Sequence, residues 1–216
     1  MKKITKISMQ QNGERYNIFL DEAFFCGVTE DTLVKLRLKK GMEVDEADLA
    51  EIIKEENNNK CFNYAVFLLG KRNYFEKNLI EKLKQKEYDD EAISLALEKL
   101  YDYGYLDDRR LTEAFVRDKK KFSKKGPRYI ASVLKTKGVE AEVIRQAIEE
   151  NYQEDEALTN CKGLVLKKLE YYKKKTDDTY TLKGKLYAFL AQRGYHSEVI
   201  KKAIDEVLRE QEADEI

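Results

Sequence analysis

The densest chemistry in this chain is positive charge. Residues 117–128 read RDKKKFSKKGPR, where Arg117, Lys119, Lys120, Lys121, Lys124, Lys125 and Arg128 stand against a single acid, Asp118. So many like charges at a helix end repel one another, and an acidic surface or a phosphate backbone laid against them relieves the repulsion. The plainer reading is a solvated face, and the sequence leaves both open. Shorter basic groups lie beside aromatic residues: Lys173, Lys174 and Lys175 follow Tyr171-Tyr172, Lys183 and Lys185 precede Tyr187, and Lys71-Arg72 precede Tyr74-Phe75. Rings among lysines suit stacking or interface anchoring, but tyrosines in helical repeats usually pack across repeat seams, and for these three groups that reading is favoured.

Catalytic groups are scarce. The one histidine, His196, directly precedes Ser197-Glu198 at a helix start, where a polar residue caps the helix or is simply solvated. The acid pairs Asp89-Asp90 and Asp107-Asp108 also fall at helix starts, where a carboxylate meets the positive end of the helix dipole. Cys26, Cys61 and Cys161 are odd in number, far apart and without CxxC spacing, which points to small buried hydrophobes rather than a disulfide framework or a zinc site. No glycine-rich phosphate loop, HExxH or GxSxG motif occurs. The expectation is a binding protein and not an enzyme, with no catalytic residue, no metal and no cofactor.

The elements that position these groups should be helical. Of 216 residues 42% are hydrophobic and 38% charged, with ten glycines and one proline, Pro127. Lys, Glu, Leu and Ala lose little rotamer freedom in a helix, so a mostly α chain with thin cores follows. The formal net charge is zero, but residues 43–57 carry −6 and residues 205–216 carry −5, which leaves +11 on the remaining helical body. An apolar run of about eighteen residues and a signal-peptide pattern are both missing, so a cytoplasmic, membrane-free setting is expected.

Residues 4–20 read as a β-hairpin, with Ile7 and Met9 on one strand, Tyr16, Ile18 and Leu20 alternating on the other, and Asn12-Gly13 as a tight turn. A third strand around Phe24 to Val28, a capped helix from Thr29 to Leu36 and an acidic helix from Asp45 to Glu56 complete a small α+β unit that ends at an Asn57-Asn58-Asn59 linker. Beyond it the chain repeats. Residues 132–151 and 188–207 share eight of twenty positions, among them Leu134 with Leu190, Gly138 with Gly194, Ile144 with Ile200 and Ala147 with Ala203. Residues 81–100 fit the same frame through Leu83, Glu91, Ile93 and Ala96, with Glu87 in place of the glycine. The offsets of 51 and 56 residues define three copies. Each copy is expected to be three helices, with first helices over 60–71, 107–123 and 154–175 and a left-handed cap at the glycine. The divisions are 1–59 for the N-terminal unit and 60–106, 107–153 and 154–216 for the repeats, docked into an elongated, curved, monomeric body.

The motif order YGYLDD (Tyr103 to Asp108), a helix with Ala114, Phe115 and Val116, then KKGPRYI (Lys124 to Ile130) and KTKGVEAEVI (Lys135 to Ile144) resembles the second repeat of the RecX family. FLDEAFFCGVTEDTLVKLRLKKG (Phe19 to Gly41) is similar to the N-terminal extension of Firmicute-type members, and AQRGYHSEVI (Ala191 to Ile200) to the closing repeat, so the likeness covers essentially the whole chain. Leu111 stands where members often carry phenylalanine, a departure that leaves its packing role intact. The resemblance implies a regulator of recombination, DNA repair and the SOS response that binds the RecA filament on DNA in its groove. There it would modulate recombinase and coprotease activity, in the direction of inhibition. It supplies no catalytic residues, and the segment from Arg117 to Arg128 is the part it marks for partner contact. The charge of the body leaves a second reading open, a helical-repeat module contacting single- or double-stranded DNA directly. A third, a helical scaffold for an unrelated partner, rests on the repeats alone.

Overall fold

The computed structural model describes residues 1–11 and 15–214. The chain divides into two compact units, Met1–Arg72 with Ile80–Tyr105, and Asn73–Leu79 with Leu106–Ile216. It is mostly helical, with three three-helix repeats preceded by a small unit of strands. No helix among the described residues is long and apolar enough to cross a membrane.

In the first unit β1 (Lys2–Met9), β2 (Arg15–Leu20) and β3 (Ala23–Thr29) form an antiparallel sheet, with β1 also pairing to a short strand, β4 (Glu43–Val44), in the order β3-β2-β1-β4. Ile7 pairs with Ile18 and Met9 with Tyr16, as the alternation of the two expected hairpin strands requires. The Asn12-Gly13 turn lies outside the described residues. Ile4, Ile18, Leu20 and Val28 are buried with Leu38, Val44 and Leu49 in one cluster. Helix α1 (Glu30–Lys35) is capped by the hydroxyl of Thr29, which accepts from the Thr32 N–H.

Helix α2 (Glu46–Lys71) begins at Asp45, whose carboxylate accepts from Ala47 and Asp48, and it does not stop at Glu56. The Asn57-Asn58-Asn59 stretch expected as a linker lies inside it. Asparagine is a modest helix former, at roughly half a kcal/mol below alanine, and side-chain bonding around these residues outweighs that preference. Glu56 is buried between the ammonium groups of Lys35 and Lys60, and Lys60 also donates to the hydroxyls of Thr29 (2.6 Å) and Thr32 (3.0 Å). A buried carboxylate needs such partners, and supplying them fastens the middle of α2 to α1. Asn57 itself donates to Asp89 at 3.1 Å, while Cys61, Ala65 and Leu68 bury the second half of the helix.

The remaining helices come in the expected trios. After α2 come α3 (Glu76–Lys84) and α4 (Asp90–Asp102); then α5 (Asp108–Lys121), α6 (Pro127–Thr136) and α7 (Ala141–Asn151); then α8 (Glu154–Lys173), α9 (Thr179–Gln192) and α10 (Ser197–Asp214). The acid pair at 107–108 caps two helices. Asp107 accepts from Arg110 at the start of α5, and Asp108 reaches the Glu76 N–H at the start of α3 at 3.0 Å. The second unit has one continuous core, in which Val116, Ile130, Leu134, Cys161, Val165, Leu186, Leu190 and Ile200 are buried together.

The corner between the second and third helices has one geometry in all three repeats. Glu87, Gly138 and Gly194 have φ of 61°, 87° and 87°. Directly after each, the N–H of Tyr88, Val139 and Tyr195 donates back to the carbonyl of Leu83, Leu134 and Leu190, at 3.4, 3.2 and 3.4 Å. This six-to-one hydrogen bond is the Schellman arrangement, and its left-handed residue favours glycine by about 1 kcal/mol because no Cβ crowds the backbone. The first repeat keeps the geometry without the glycine. Glu87→Gly is therefore expected to stabilise the first unit by up to about 1 kcal/mol, read as a raised urea midpoint, whereas Gly138→Ala destabilises the second by at least as much. A lowered midpoint for Glu87→Gly would show that the residue at this corner is not strained.

Candidate functional site

The basic segment begins on α5, which points its last two turns toward the α7–α8 junction. Lys120 is the most constrained member: its ammonium donates to the Asn151 carbonyl and to Glu156, each at 2.6 Å, and its side chain is only 18% exposed. A cation there meets the negative end of α7, which stabilises both. Arg117 lies 3.6 Å from Glu113 and donates to the Asn151 side chain at 3.3 Å. Arg117, Lys120, Lys121 and Lys124 line one open groove with Asp155, Glu156, Thr159 and Asn160 on α8.

The other three predicted residues point elsewhere. Lys119 stands over the Phe115 ring at 5.2 Å and Lys125 over Tyr129 at 4.0 Å. Arg128, in the first turn of α6, lines a separate groove with Pro127, Ile148 and His196. The structure thus brings together four of the seven predicted side chains.

The loop between α5 and α6 is held by the third repeat. The Gly126 N–H donates to the Arg193 carbonyl at 2.8 Å, the Arg128 N–H to the Gly194 carbonyl at 3.0 Å, and the Arg193 guanidinium to the Ser123 carbonyl at 3.0 Å. The backbones approach so closely that a Cβ on Gly126 would lie 2.4 Å from the Gly194 oxygen, and one on Gly194 2.2 Å from the Tyr129 nitrogen. Two buried tyrosines complete the clamp. Tyr152 donates its hydroxyl to the Lys125 carbonyl (3.0 Å) and Tyr195 to the Lys124 carbonyl (2.9 Å). Burial pushes the Tyr195 hydroxyl up to about 12 and raises that of Tyr152 as well, so both remain donors. Lys124 sits at φ 48°, which turns its side chain outward while its carbonyl faces in.

These tyrosines, with Asn151 and Glu156, are contributors the sequence does not reveal. A tyrosine one place after the cap glycine marks a buried slot, but its carbonyl partner lies 71 residues earlier and leaves no local signal. His196 is exposed and its carbonyl accepts the Ile200 N–H at 3.0 Å, which makes it a backbone cap of α10. Burial pushes the thiols of Cys61 and Cys161 up to about 12 and that of Cys26 to about 11, away from the reactive thiolate. Among the described residues, no group of three or more His, Cys, Asp or Glu side chains is arranged to hold a metal ion.

Comparison with known proteins identifies related chains. Family models match four successive stretches: the regulatory protein RecX N-terminal domain over residues 2–45, and the first, second and third three-helix domains of RecX over residues 61–100, 107–148 and 154–204. The regulatory protein RecX of Bacillus velezensis is 39% identical over 207 residues, spanning 94% of this chain and 76% of the relative. That of Bacillus subtilis (strain 168) is 36% identical over 212 residues, spanning 98% and 79%. A crystal structure of regulatory protein RecX superposes with a TM-score of 0.70 at 28% identity, covering 95% of this chain and 100% of the other. The RecX structure from Lactobacillus salivarius shares the fold, with a TM-score of 0.66 at 24% identity over 71% of this chain.

Lys120 and Lys121 are neighbours in sequence with different roles. Lys120→Met is expected to destabilise the second unit by about 1 kcal/mol, through removal of its charged hydrogen bonds. Lys121→Met should leave the urea midpoint unchanged. Equal midpoints for both would mean that the Lys120 hydrogen bonds contribute nothing in solution.

Proposed function

The chain belongs to the RecX family, and we propose that it regulates RecA by binding the RecA–DNA filament in its groove and inhibiting recombinase and coprotease activity. The observation that carries this reading is the succession of four RecX domains along nearly the whole chain. The exposed cations of the α5–α8 groove supply the contact chemistry, above all Lys121 and Lys124, which have no carboxylate partner among the described residues, whereas Arg117 and Lys120 are engaged within the unit. The repeats, taken as 60–106, 107–153 and 154–216 after an N-terminal unit of 1–59, each engage the filament modestly. On one polymer such contacts reinforce one another through high effective concentration. The protein acts as a monomer in the cytoplasm and works by occupancy, with no chemical step of its own.

Inhibition by a groove-binding protein depends on differential affinity for filament states. RecA ATPase on single-stranded DNA, titrated with this protein at two salt concentrations, is expected to fall to a plateau and to need more protein at the higher salt. Lys121→Glu with Lys124→Glu should shift the half-inhibiting concentration by about tenfold. Lys201→Glu with Lys202→Glu, exposed on α10, should not. Unchanged ATPase at saturating wild-type protein would remove the reading, and an equal shift from the control pair would reduce the groove to net charge. Tight, steeply salt-dependent binding to bare DNA together with unchanged ATPase would favour direct action on nucleic acid instead.

A further inference from the structure

Helices α8 and α9 carry a second basic surface, built differently from the first. Lys175 donates to the Tyr171 hydroxyl at 2.6 Å, and its ammonium lies 4.3 Å from the centre of that ring. Lys168 stands 5.1 Å from the same ring and 5.9 Å from that of Phe189, over which the Arg193 guanidinium also sits at 5.0 Å. Tyr172 meets Tyr171 edge-on at 5.2 Å and supports it from the side. The Tyr171 phenol is held below its ordinary range, first by the Lys175 hydrogen bond and charge and then by the charges of Lys168 and Lys185, and two of these ammonium groups, Lys168 and Lys175, lie against the ring itself.

Two features set this strip apart from a solvated helix face. Lys168, Lys175 and Lys185 have no carboxylate partner among the described residues, whereas Lys173 and Lys183 nearby pair with Glu170 and Asp205. Tyr171 is also 50% exposed, an aromatic ring kept half in water between cations. A ligand that satisfies both features offers a planar π-face and regularly spaced anions. Single-stranded nucleic acid does so, since its bases stack on aromatic rings while its phosphates meet lysines. A duplex hides its base faces, and an acidic peptide has no succession of planar rings to offer.

We propose that the Lys168–Tyr171–Lys175 strip, extended by Phe189, is a binding site for single-stranded nucleic acid in which a base stacks on Tyr171 and the flanking phosphates are held by the lysines. The site goes beyond the filament reading and does not rest on it.

The test contains no RecA, so either proposal can fail alone. Fluorescence anisotropy of a dye-labelled oligothymidylate titrated with the full chain is expected to show salt-sensitive binding. Tyr171→Ala should weaken it about tenfold, the scale of one base–aromatic stack, while Tyr171→Phe binds like wild type. Lys168→Gln with Lys175→Gln should weaken binding and flatten the logarithmic salt slope by about 0.7 for each phosphate set free. The tyrosine absorbance titration that disappears in Tyr171→Phe should move to higher pH in Lys175→Met, which confirms that the pair exists in solution. Equal affinity of Tyr171→Ala and Tyr171→Phe, a duplex that binds as tightly as the single strand, or no binding of the oligonucleotide at all would overturn the site.

Discussion

The left-handed residue that ends the second helix of each repeat constrains more of this molecule than any side chain does. It reverses the chain within two residues, returns an N–H to the carbonyl of Leu83, Leu134 or Leu190, and so sets the corner at which the third helix leaves. In the third repeat the same corner has a second use. Because Gly194 has no Cβ, the chain at Gly126 and Tyr129 can lie against it, and the carbonyls of Arg193 and Gly194, left over at a helix end, accept the amides of Gly126 and Arg128. The second and third repeats share one core, and the loop between α5 and α6 is fixed by these backbone bonds together with the Arg193 guanidinium and the Tyr152 and Tyr195 hydroxyls.

That clamp divides the labour among the lysines. A run of like charge looks uniform in sequence, but here some members are structural and others are displayed. Lys120 satisfies the C-terminal carbonyl of α7 and a carboxylate of α8, and the main chains of Lys124 and Lys125 receive the two buried tyrosine hydroxyls. What faces solvent is a subset, with Lys121 and Lys124 both exposed on the groove. Charge density along the chain therefore overstates the size of the contact surface. On α8 and α9 the reverse holds: modest basic groups form a cluster, because helical spacing brings Lys168 and Lys175 to Tyr171 and Arg193 to Phe189, and the packing of the two helices then joins Lys168 to Phe189.

The parts of the fold that are legible in the sequence are those set by local spacing. The strand alternation around Ile7, Ile18 and Leu20, the acid caps, and the recurring leucine, glycine and isoleucine positions all express a period or a backbone preference, and the structure follows them. Even the missing glycine at position 87 is readable as a substitution within the frame, since its φ stays left-handed. Local pattern misleads where distant groups outweigh propensity. Asn57-Asn58-Asn59 reads as a break, but the ion network of Glu56, Lys35 and Lys60 and the buried face beyond it keep α2 continuous. The candidate site is half legible for the same reason: residue type marks the cations, while their partners Asn151, Glu156, Tyr152 and Tyr195 lie 27 to 71 residues away.

The basic loop is thus an integral part of the second unit, fastened through the glycine pair. Residue-resolved native-state hydrogen exchange reads this directly at the amides of Gly126 and Arg128, which face the third repeat. Both should exchange as slowly as the core amides of Leu134 and Leu190, because all four are released only when the unit opens. Fast exchange of Gly126 and Arg128, at the rate of an exposed loop and well ahead of those leucines, would contradict it.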